Sequence, residues 1–339
     1  MKRAGVLSVA EGRLETGWWG PEPEDAPTLV LLHEGLGCVD LWRDVPERLT
    51  AATGCGVFAY SRFGYGRSDL TPLPRPMDYM QQEAMLVLPQ VLSQAWIRQA
   101  VLVGHSDGGS IAAIHAGAIG SGTCSRPRPG SPPPDRVVRA LVEGRGSGEG
   151  SPSTTDGGTA REVAGGSRIK SKGAAVGGTG ILAEPKIEPL HRPPGSGYKL
   201  LGLITIAAHF FVEDLNIGSI RRIKQDYETG DLRQRLAHHH RNVDVAFRGW
   251  NDTWLDPRFR TFDITGFLRD IHVPILGLQG ADDPYGSGEQ LRVLQANVRA
   301  PIEVSLIPGA RHAPHLEAKE ATLAAITRFI TGLPRETPT

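Results

Sequence analysis

Short apolar runs alternate along the chain with segments in which apolar residues recur at helical spacing. Six runs predict β-strands, and they cover residues 28–32, 57–60, 100–103, 200–207, 275–279 and 303–307. Nearly continuous apolar runs are typical of parallel strands that are buried on both faces. The intervening patterns predict helices over residues 41–52, 79–96, 108–118, 288–298 and 313–331. This alternation predicts an α/β fold with a doubly wound, mostly parallel sheet.

Two stretches depart from the alternation. Residues 121–198 are rich in glycine and proline and show almost no sustained periodicity, so we expect a disordered, low-complexity insertion. Residues 210–270 carry charged helical patterns with few strand signals, which predicts a helical cap above the sheet. The predicted core therefore consists of residues 1–120, a strand within 199–209, and residues 271–335.

Charge and cysteine content narrow the class of function. The chain has 37 lysine and arginine residues against 37 aspartate and glutamate residues, so no net field attracts nucleic acid or an anionic membrane. Cys38, Cys55 and Cys124 are odd in number and far apart, which is typical of a reducing compartment. The N-terminus predicts no signal peptide, and the longest apolar stretch, 200–212, is too short to span a bilayer. We expect a cytoplasmic enzyme that has neither a nucleic-acid nor a membrane partner.

The strongest chemical signal is a G-x-S-x-G motif with the sequence Gly104-His105-Ser106-Asp107-Gly108. A predicted strand precedes the motif and a predicted helix follows it, which is the context that a nucleophilic serine needs. At the N-terminus of a helix the developing negative charge is favoured. A simple Gly-rich turn is the structural alternative, but the flanking elements favour Ser106 as a nucleophile.

A serine hydroxyl is a weak nucleophile and needs a base that a third group orients. His312 follows the predicted strand 303–307, and two carboxylates, Asp282 and Asp283, follow the strand 275–279. Both turns lie at the carboxyl ends of parallel strands, where sites form in open α/β sheets. His312 would accept the serine proton, and one of the two carboxylates would orient the imidazole.

An oxyanion hole is predicted in the turn after the strand 28–32. The turn has the sequence His33-Glu34-Gly35-Leu36-Gly37. Its backbone N–H groups, together with the N–H that follows the serine, would bind the oxygen of a tetrahedral intermediate.

These motifs resemble those of the α/β-hydrolase superfamily over both ends of the chain but not over the insertion. His33-Glu34-Gly35 stands where many members have His-Gly-x, so that Glu34 replaces the usual glycine, and Trp42 follows at a common distance. Residues 60–69 are similar to the loop that follows the next strand in that family.

The resemblance implies a role for each site residue. Gly35 and Asp107 would supply the two oxyanion N–H groups. Asp283 rather than Asp282 would be the acid, and His312 would be the base. With Ser106 these residues imply cofactor-independent hydrolysis of a carboxylic ester, lactone or thioester through an acyl-enzyme intermediate.

Two other functions stay open at this point: a carbon–carbon bond hydrolase of the same fold, and a ligand-binding or receptor protein without catalysis. Phe247, Trp250 and Trp254 recur at helical spacing and would either line an acyl pocket or pack the cap. The adjacent histidines 238–240 lack the spacing of a metal site and predict a solvated basic face. His209, just after a predicted strand, is a candidate for facing the cavity. We expect no bound metal, and the sequence indicates no oligomeric state.

Overall fold

An eight-stranded sheet forms the centre of the protein. The computed structural model describes residues 2–122 and 197–334, so most of the predicted insertion, 121–198, lies outside the described residues. The strands are β1 Arg3–Val9, β2 Gly12–Trp19, β3 Thr28–Leu32, β4 Gly56–Tyr60, β5 Gln99–His105, β6 Lys199–Ile206, β7 Ile275–Gly280 and β8 Ile302–Ile307. They lie in the order β1-β2-β4-β3-β5-β6-β7-β8. Strands β3 to β8 are parallel, which confirms the predicted α/β fold with a mostly parallel sheet.

All six predicted strands are present, with ends that differ by at most two residues from the predicted ranges. The N-terminal hairpin of β1 and β2 is an element that the pattern does not predict. Exposed and half-buried residues alternate along β1, and both strands pair antiparallel with their neighbours. A strand with one solvated face has no continuous apolar run, which explains why the hairpin escaped the prediction.

Helices follow each of the strands from β3 to β8 along the chain. They are α1 Val45–Thr53, α2 Tyr79–Gln82, α3 Leu88–Gln94, α4 Asp107–Gly120, α5 Asp214–Thr229, α6 Leu232–Ala237, α7 Val243–Leu255, α8 Thr265–Leu268, α9 Glu289–Asn297, α10 Pro314–Glu317 and α11 Lys319–Gly332. Two 3₁₀ segments, Val39–Trp42 and Pro257–Thr261, and a π-helical segment, Glu83–Val87, complete the helical structure of the described residues. Within residues 2–122 and 197–334 no helix is long and apolar enough to cross a membrane.

The predicted helices are present, but three of them are divided. The range 79–96 contains α2, the π-helical segment and α3 in succession. Pro89 lies at the start of α3 and has no N–H to continue a helical ladder from the preceding turn. Pro46 and Pro314 likewise stand at the start of α1 and α10. Periodicity therefore located the helices but not the divisions within them.

Residues 210–270 are helical, as predicted, and contain α5 to α8 and one 3₁₀ segment. Phe247, Trp250 and Trp254 are all buried and belong to the same hydrophobic cluster as Val30 of the sheet. Packing against the core therefore accounts for these aromatic residues. The assignment of 210–270 as a cap domain stays a prediction.

Both faces of the sheet are buried. Along β3, Val30 and Leu32 belong to one hydrophobic cluster, and Leu29 and Leu31 belong to a second. Side chains alternate between the two faces of a strand, so the two clusters lie on opposite sides of the sheet. Burying one such leucine contributes about 1.5–3 kcal/mol to the free energy of unfolding.

The turn between β5 and α4 passes very close to β3. A Cβ atom on Gly108 would lie well inside van der Waals contact of the main-chain carbonyl of Leu32. The obstacle is backbone, which cannot rotate away as a side chain can. Any residue other than glycine at position 108 would therefore force the turn that carries Ser106 to shift.

We predict that Gly108→Ala lowers the free energy of unfolding by at least about 2 kcal/mol, because the added methyl overpacks the crossing with β3. Urea unfolding of the purified variant, followed by circular dichroism, measures the loss.

The matched control is Gly218→Ala in α5, where a Cβ atom would meet only the end of the Arg222 side chain at 3.7 Å. Alanine favours a helix interior over glycine by about 1 kcal/mol, so this variant should be as stable as the wild type or more stable. Equal stability of the Gly108→Ala variant and the wild type would contradict the close approach.

His115 is a fully buried histidine of α4. Its Nδ1 lies 2.6 Å from the carbonyl oxygen of Ala84, to which it must donate, and its Nε2 contacts the hydroxyl of Tyr198. Burial lowers the pKa of His115 to about 4. The side chain is therefore neutral in the folded protein at neutral pH.

We predict that His115 makes the fold sensitive to acid. Its pKa rises from about 4 in the folded chain to about 6.5 in the unfolded chain, so the unfolded state binds the proton first as the pH falls. Stability is then lost between pH 6.5 and 4, by about 2 kcal/mol at pH 5. Urea unfolding measures the free energy of unfolding at pH 7.5 and at pH 5. Between these two pH values it should fall by about 2 kcal/mol more in the wild type than in His115→Gln. The exposed His238→Gln is the control and should keep the wild-type pH dependence. An equal drop in His115→Gln would show that this histidine is not the source.

Candidate active site

Ser106 holds a backbone conformation that is rare for any residue but glycine, with φ 52° and ψ −119°. It lies between the end of β5 and the first residue of α4. Its N–H donates to the carbonyl of Ile206 over 2.8 Å, and its own carbonyl accepts from the N–H of Gly109. Strained conformations of this kind persist only where the surroundings enforce them, and they concentrate at functional sites.

The side chain of His312 joins the serine to an acid. Its Nε2 lies 3.0 Å from Oγ of Ser106, and its Nδ1 lies 2.9 Å from Oδ2 of Asp283. The carboxylate of Asp283 only accepts, so Nδ1 carries the proton and Nε2 is free to accept from the serine. The structure thus brings together the three predicted side chains. The neighbouring Asp282 is exposed.

Asp283 is held in its charged form. Its side chain is fully buried, which raises its pKa, but the hydrogen bond from His312 and the electrostatic interaction with that ring lower the pKa by more. The N–H of Tyr285 and the side-chain amide of Gln279 also donate to the carboxylate. The net pKa of Asp283 lies below its ordinary value. Asp283 is therefore ionised at neutral pH and fixes the tautomer of His312.

His209 stands next to the predicted base. Its ring lies nearly parallel to that of His312 with centroids 5.7 Å apart, and the ring of Trp254 makes a T-shaped contact with it at 5.3 Å. Burial lowers the pKa of His209 to about 3. His209 is therefore a neutral neighbour and adds no like charge when His312 is protonated.

The two predicted oxyanion donors follow neighbouring strands, β3 and β5. Leu32 at the end of β3 pairs with Gly104 of β5, so the turn that contains Gly35 and the turn that contains Ser106 leave the same edge of the sheet. Asp107 is the first residue of α4, where an N–H has no partner within the helix. The indole of Trp250 lies directly on Gly35, where a Cβ atom would overlap it.

His33 shapes the predicted oxyanion turn. Its Nε2 accepts from the N–H of Arg62 over 3.0 Å, so its Nδ1 carries the proton and donates to the carbonyl of Glu34 over 2.6 Å. Burial and the charge of Arg62 hold the pKa of His33 well below its usual value. A neutral His33 therefore fixes the direction of the Glu34 carbonyl.

A buried polar network around Asp107 was not predicted from the sequence. The hydroxyl of Tyr79 donates to its carboxylate over 2.6 Å, and Nε1 of Trp254 donates to that hydroxyl over 3.2 Å. Nη1 of Arg62 lies 3.9 Å from the same carboxylate. Burial raises the pKa of Asp107, which is fully inaccessible to solvent. The network ties the turn that carries the serine to the helical segment 210–270.

The predicted solvated basic face over residues 238–240 is wrong for His240. Helix α6 ends at Ala237, and His240 turns inward and is only 3% exposed. Its Nδ1 accepts from the N–H of Gly66 over 2.9 Å, and its Nε2 lies 3.0 Å from the carbonyl of Leu36. His240 thus connects the helical segment to the predicted oxyanion turn. In the described part of the chain no cluster of histidine, cysteine, aspartate or glutamate is arranged to hold a metal ion.

Solved structures with a similar fold include enzymes of different activity. A proline iminopeptidase from Mycobacterium smegmatis is 14% identical with a TM-score of 0.59, and the match covers 97% of this chain and 98% of that chain. A thermophilic esterase from Thermogutta terrifontis is 13% identical with a TM-score of 0.57 and 98% of both chains covered. A bromoperoxidase from Bacillus anthracis is 14% identical with a TM-score of 0.58, and 97% of this chain and 100% of that chain are covered. At these identities the likeness establishes the fold alone.

No curated protein matches the sequence. A family model, in contrast, matches most of the chain. The family model described as "Alpha/beta hydrolase family" matches residues 29–325, a range that includes Ser106, Asp283 and His312. The chain belongs to the alpha/beta hydrolase family.

Proposed function

We propose that the protein is a serine hydrolase that cleaves a carboxylic ester, lactone or thioester without a cofactor. The observation that carries this proposal is the pair of hydrogen bonds on His312, 3.0 Å to Ser106 on one side and 2.9 Å to Asp283 on the other. A nucleophile, a base and an orienting acid in this geometry support nucleophilic catalysis.

Acylation begins when Oγ of Ser106 attacks the carbonyl carbon of the substrate and gives its proton to Nε2 of His312. The carbonyl oxygen becomes an oxyanion, which the N–H groups of Gly35 and Asp107 stabilise. Losing one such donor costs about 2.7–4 kcal/mol of barrier. His312 then gives its proton to the leaving alcohol or thiol, and the acyl group stays on Ser106.

Deacylation repeats the sequence with water. His312 takes a proton from the water as the oxygen attacks the acyl carbon. The acid product leaves as the bond to Oγ of Ser106 breaks, and Oγ takes the proton back from His312. The ionised Asp283 stabilises the imidazolium in both halves of the reaction, and the neutral His209 does not oppose its charge.

Partner and location stay predictions. The formal net charge is zero, and Cys38 is a free thiol. These features support the expectation of a cytoplasmic enzyme that acts on a small ester-like molecule without a nucleic-acid or membrane partner.

We predict that Asp283→Asn lowers kcat for p-nitrophenyl esters by about 10⁴-fold, because asparagine stabilises the wrong tautomer of His312. The neighbouring Asp282→Asn is the matched control, since its carboxylate is exposed, and it should keep kcat within about threefold of the wild type. Steady-state hydrolysis of esters with acyl chains of two to ten carbons measures both variants and sizes the acyl pocket.

We further predict that Ser106→Ala lowers kcat by about 10⁶-fold on the best of these esters, because no acyl-enzyme forms. If the wild type hydrolyses a vinylogous diketone but none of the esters, this result would favour the carbon–carbon bond hydrolase. Tight binding of esters without turnover by the wild type would favour the non-catalytic binding protein.

A further inference from the structure

His105, the residue before the nucleophile, makes two contacts that the mechanism above does not use. It is the last residue of β5 and only 3% exposed. Its Nε2 lies 2.7 Å from the main-chain carbonyl oxygen of His312. Its Nδ1 lies 3.3 Å from Oε2 of Glu34.

Both partners of the His105 ring accept and cannot donate. A carbonyl oxygen has no proton to donate, and the Glu34 side chain keeps 29% of its exposure to solvent, so its carboxylate is partly hydrated and ionised at neutral pH. The hydrogen bond with His105 lowers the pKa of Glu34 further below its ordinary value. Each ring nitrogen must therefore carry a proton, so His105 is an imidazolium. Burial lowers the pKa of His105, but the hydrogen bond and charge of Glu34 raise it more, and the net pKa lies above the ordinary value.

Besides Glu34, the titratable groups that face His105 are His209, Asp283, His312 and His315. His315 packs edge-on against it with ring centroids 4.6 Å apart, and burial holds the pKa of His315 well below its usual value. His209 is neutral for the same reason. Asp283 already bonds to His312. Glu34 is thus the carboxylate that contacts the imidazolium directly.

The groups that face Glu34 do not compete for it. His33 and His240 are kept neutral by burial, which lowers the pKa of His240 to about 4. Burial raises the pKa of the Cys38 thiol to about 12. The carboxylate also lies against Gly37, which limits its movement.

We propose that Glu34 is a positioning residue: it keeps His105 doubly protonated, and His105 in turn holds the main chain of His312 so that its imidazole faces Ser106. The inference rests on the proposed function. A hydrogen bond from a charged donor is about twice as strong as one between neutral groups, so the charge on His105 tightens its hold on the His312 carbonyl. The negative charge of Glu34 also offsets that of His105, whose ring lies 5.1 Å from the ring of His312 and would otherwise disfavour its protonation.

The first test is the protonation state of His105 in the wild-type protein. Long-range ¹H–¹⁵N spectra of the protein labelled with ¹⁵N-histidine should show both His105 nitrogens protonated from pH 6 to pH 8. Loss of the signal in His105→Gln assigns it. A neutral His105 at pH 7 overturns the proposal, and this readout needs neither substrate nor a variant of Glu34.

The second test is Glu34→Gln, which keeps a side chain of the same size but removes its charge. We expect one His105 nitrogen to lose its proton below pH 8. We also expect kcat on the best ester to fall about tenfold with KM little changed, and the alkaline decline of kcat to begin at least one pH unit lower. Glu320→Gln, which removes an exposed partner of Arg48, is the control and should match the wild type.

Wild-type kcat and an unchanged pH profile in a folded Glu34→Gln variant would overturn the positioning role. A protein that hydrolyses no ester but shows a doubly protonated His105 that depends on Glu34 would refute the proposed function and support the pairing. The two failures are therefore distinguishable.

Discussion

The hydrogen bond between His312 and Ser106 joins parts of the chain that are far apart in sequence. It exists because β5, β7 and β8 run parallel, so the loops after them leave the same edge of the sheet. The 3.0 Å contact requires that three loop conformations be correct together. The strained turn at Ser106 and the buried carboxylate of Asp283 hold the two ends of the arrangement. Every chemical step that we propose depends on this convergence.

Polar groups that are buried or, in the case of Glu34, half-buried surround the convergence and hold the loops that form it. Glu34 and His105 reach the main chain of His312, while Asp107 connects through Tyr79 to Trp254 of the helical segment. Taking charges out of water is costly, and removing one partner of such a pair leaves the other uncompensated. These groups therefore act mainly by fixing one arrangement of the site. Their contribution to the overall free energy of unfolding is smaller.

The sequence predicted the parallel strands because each is buried on both faces and hence apolar without interruption. It did not predict β1 and β2: residues of β1 alternate between exposed and half-buried positions, and the buried positions of β2 are interrupted by half-buried and exposed ones. The choice of Asp283 over Asp282 came from resemblance to the family, since spacing alone left both open. His240 was misjudged because local spacing suggested a helix, whereas α6 ends at Ala237. The partners of Asp107 and Glu34 lie far away in sequence, and no local pattern reveals such pairs. Even so, the replacement of the family's usual glycine by Glu34 was a signal for its unusual role.

The most direct measurement is the crystal structure of the protein after reaction with a fluorophosphonate. The account predicts phosphorus bonded to Oγ of Ser106 and a phosphoryl oxygen within about 3 Å of the N–H groups of Asp107 and Gly35. Nε2 of His312 should face the adduct with Asp283 behind it. A protein that remains unmodified, an adduct on another residue, or a His312 ring turned away from Ser106 would contradict the account.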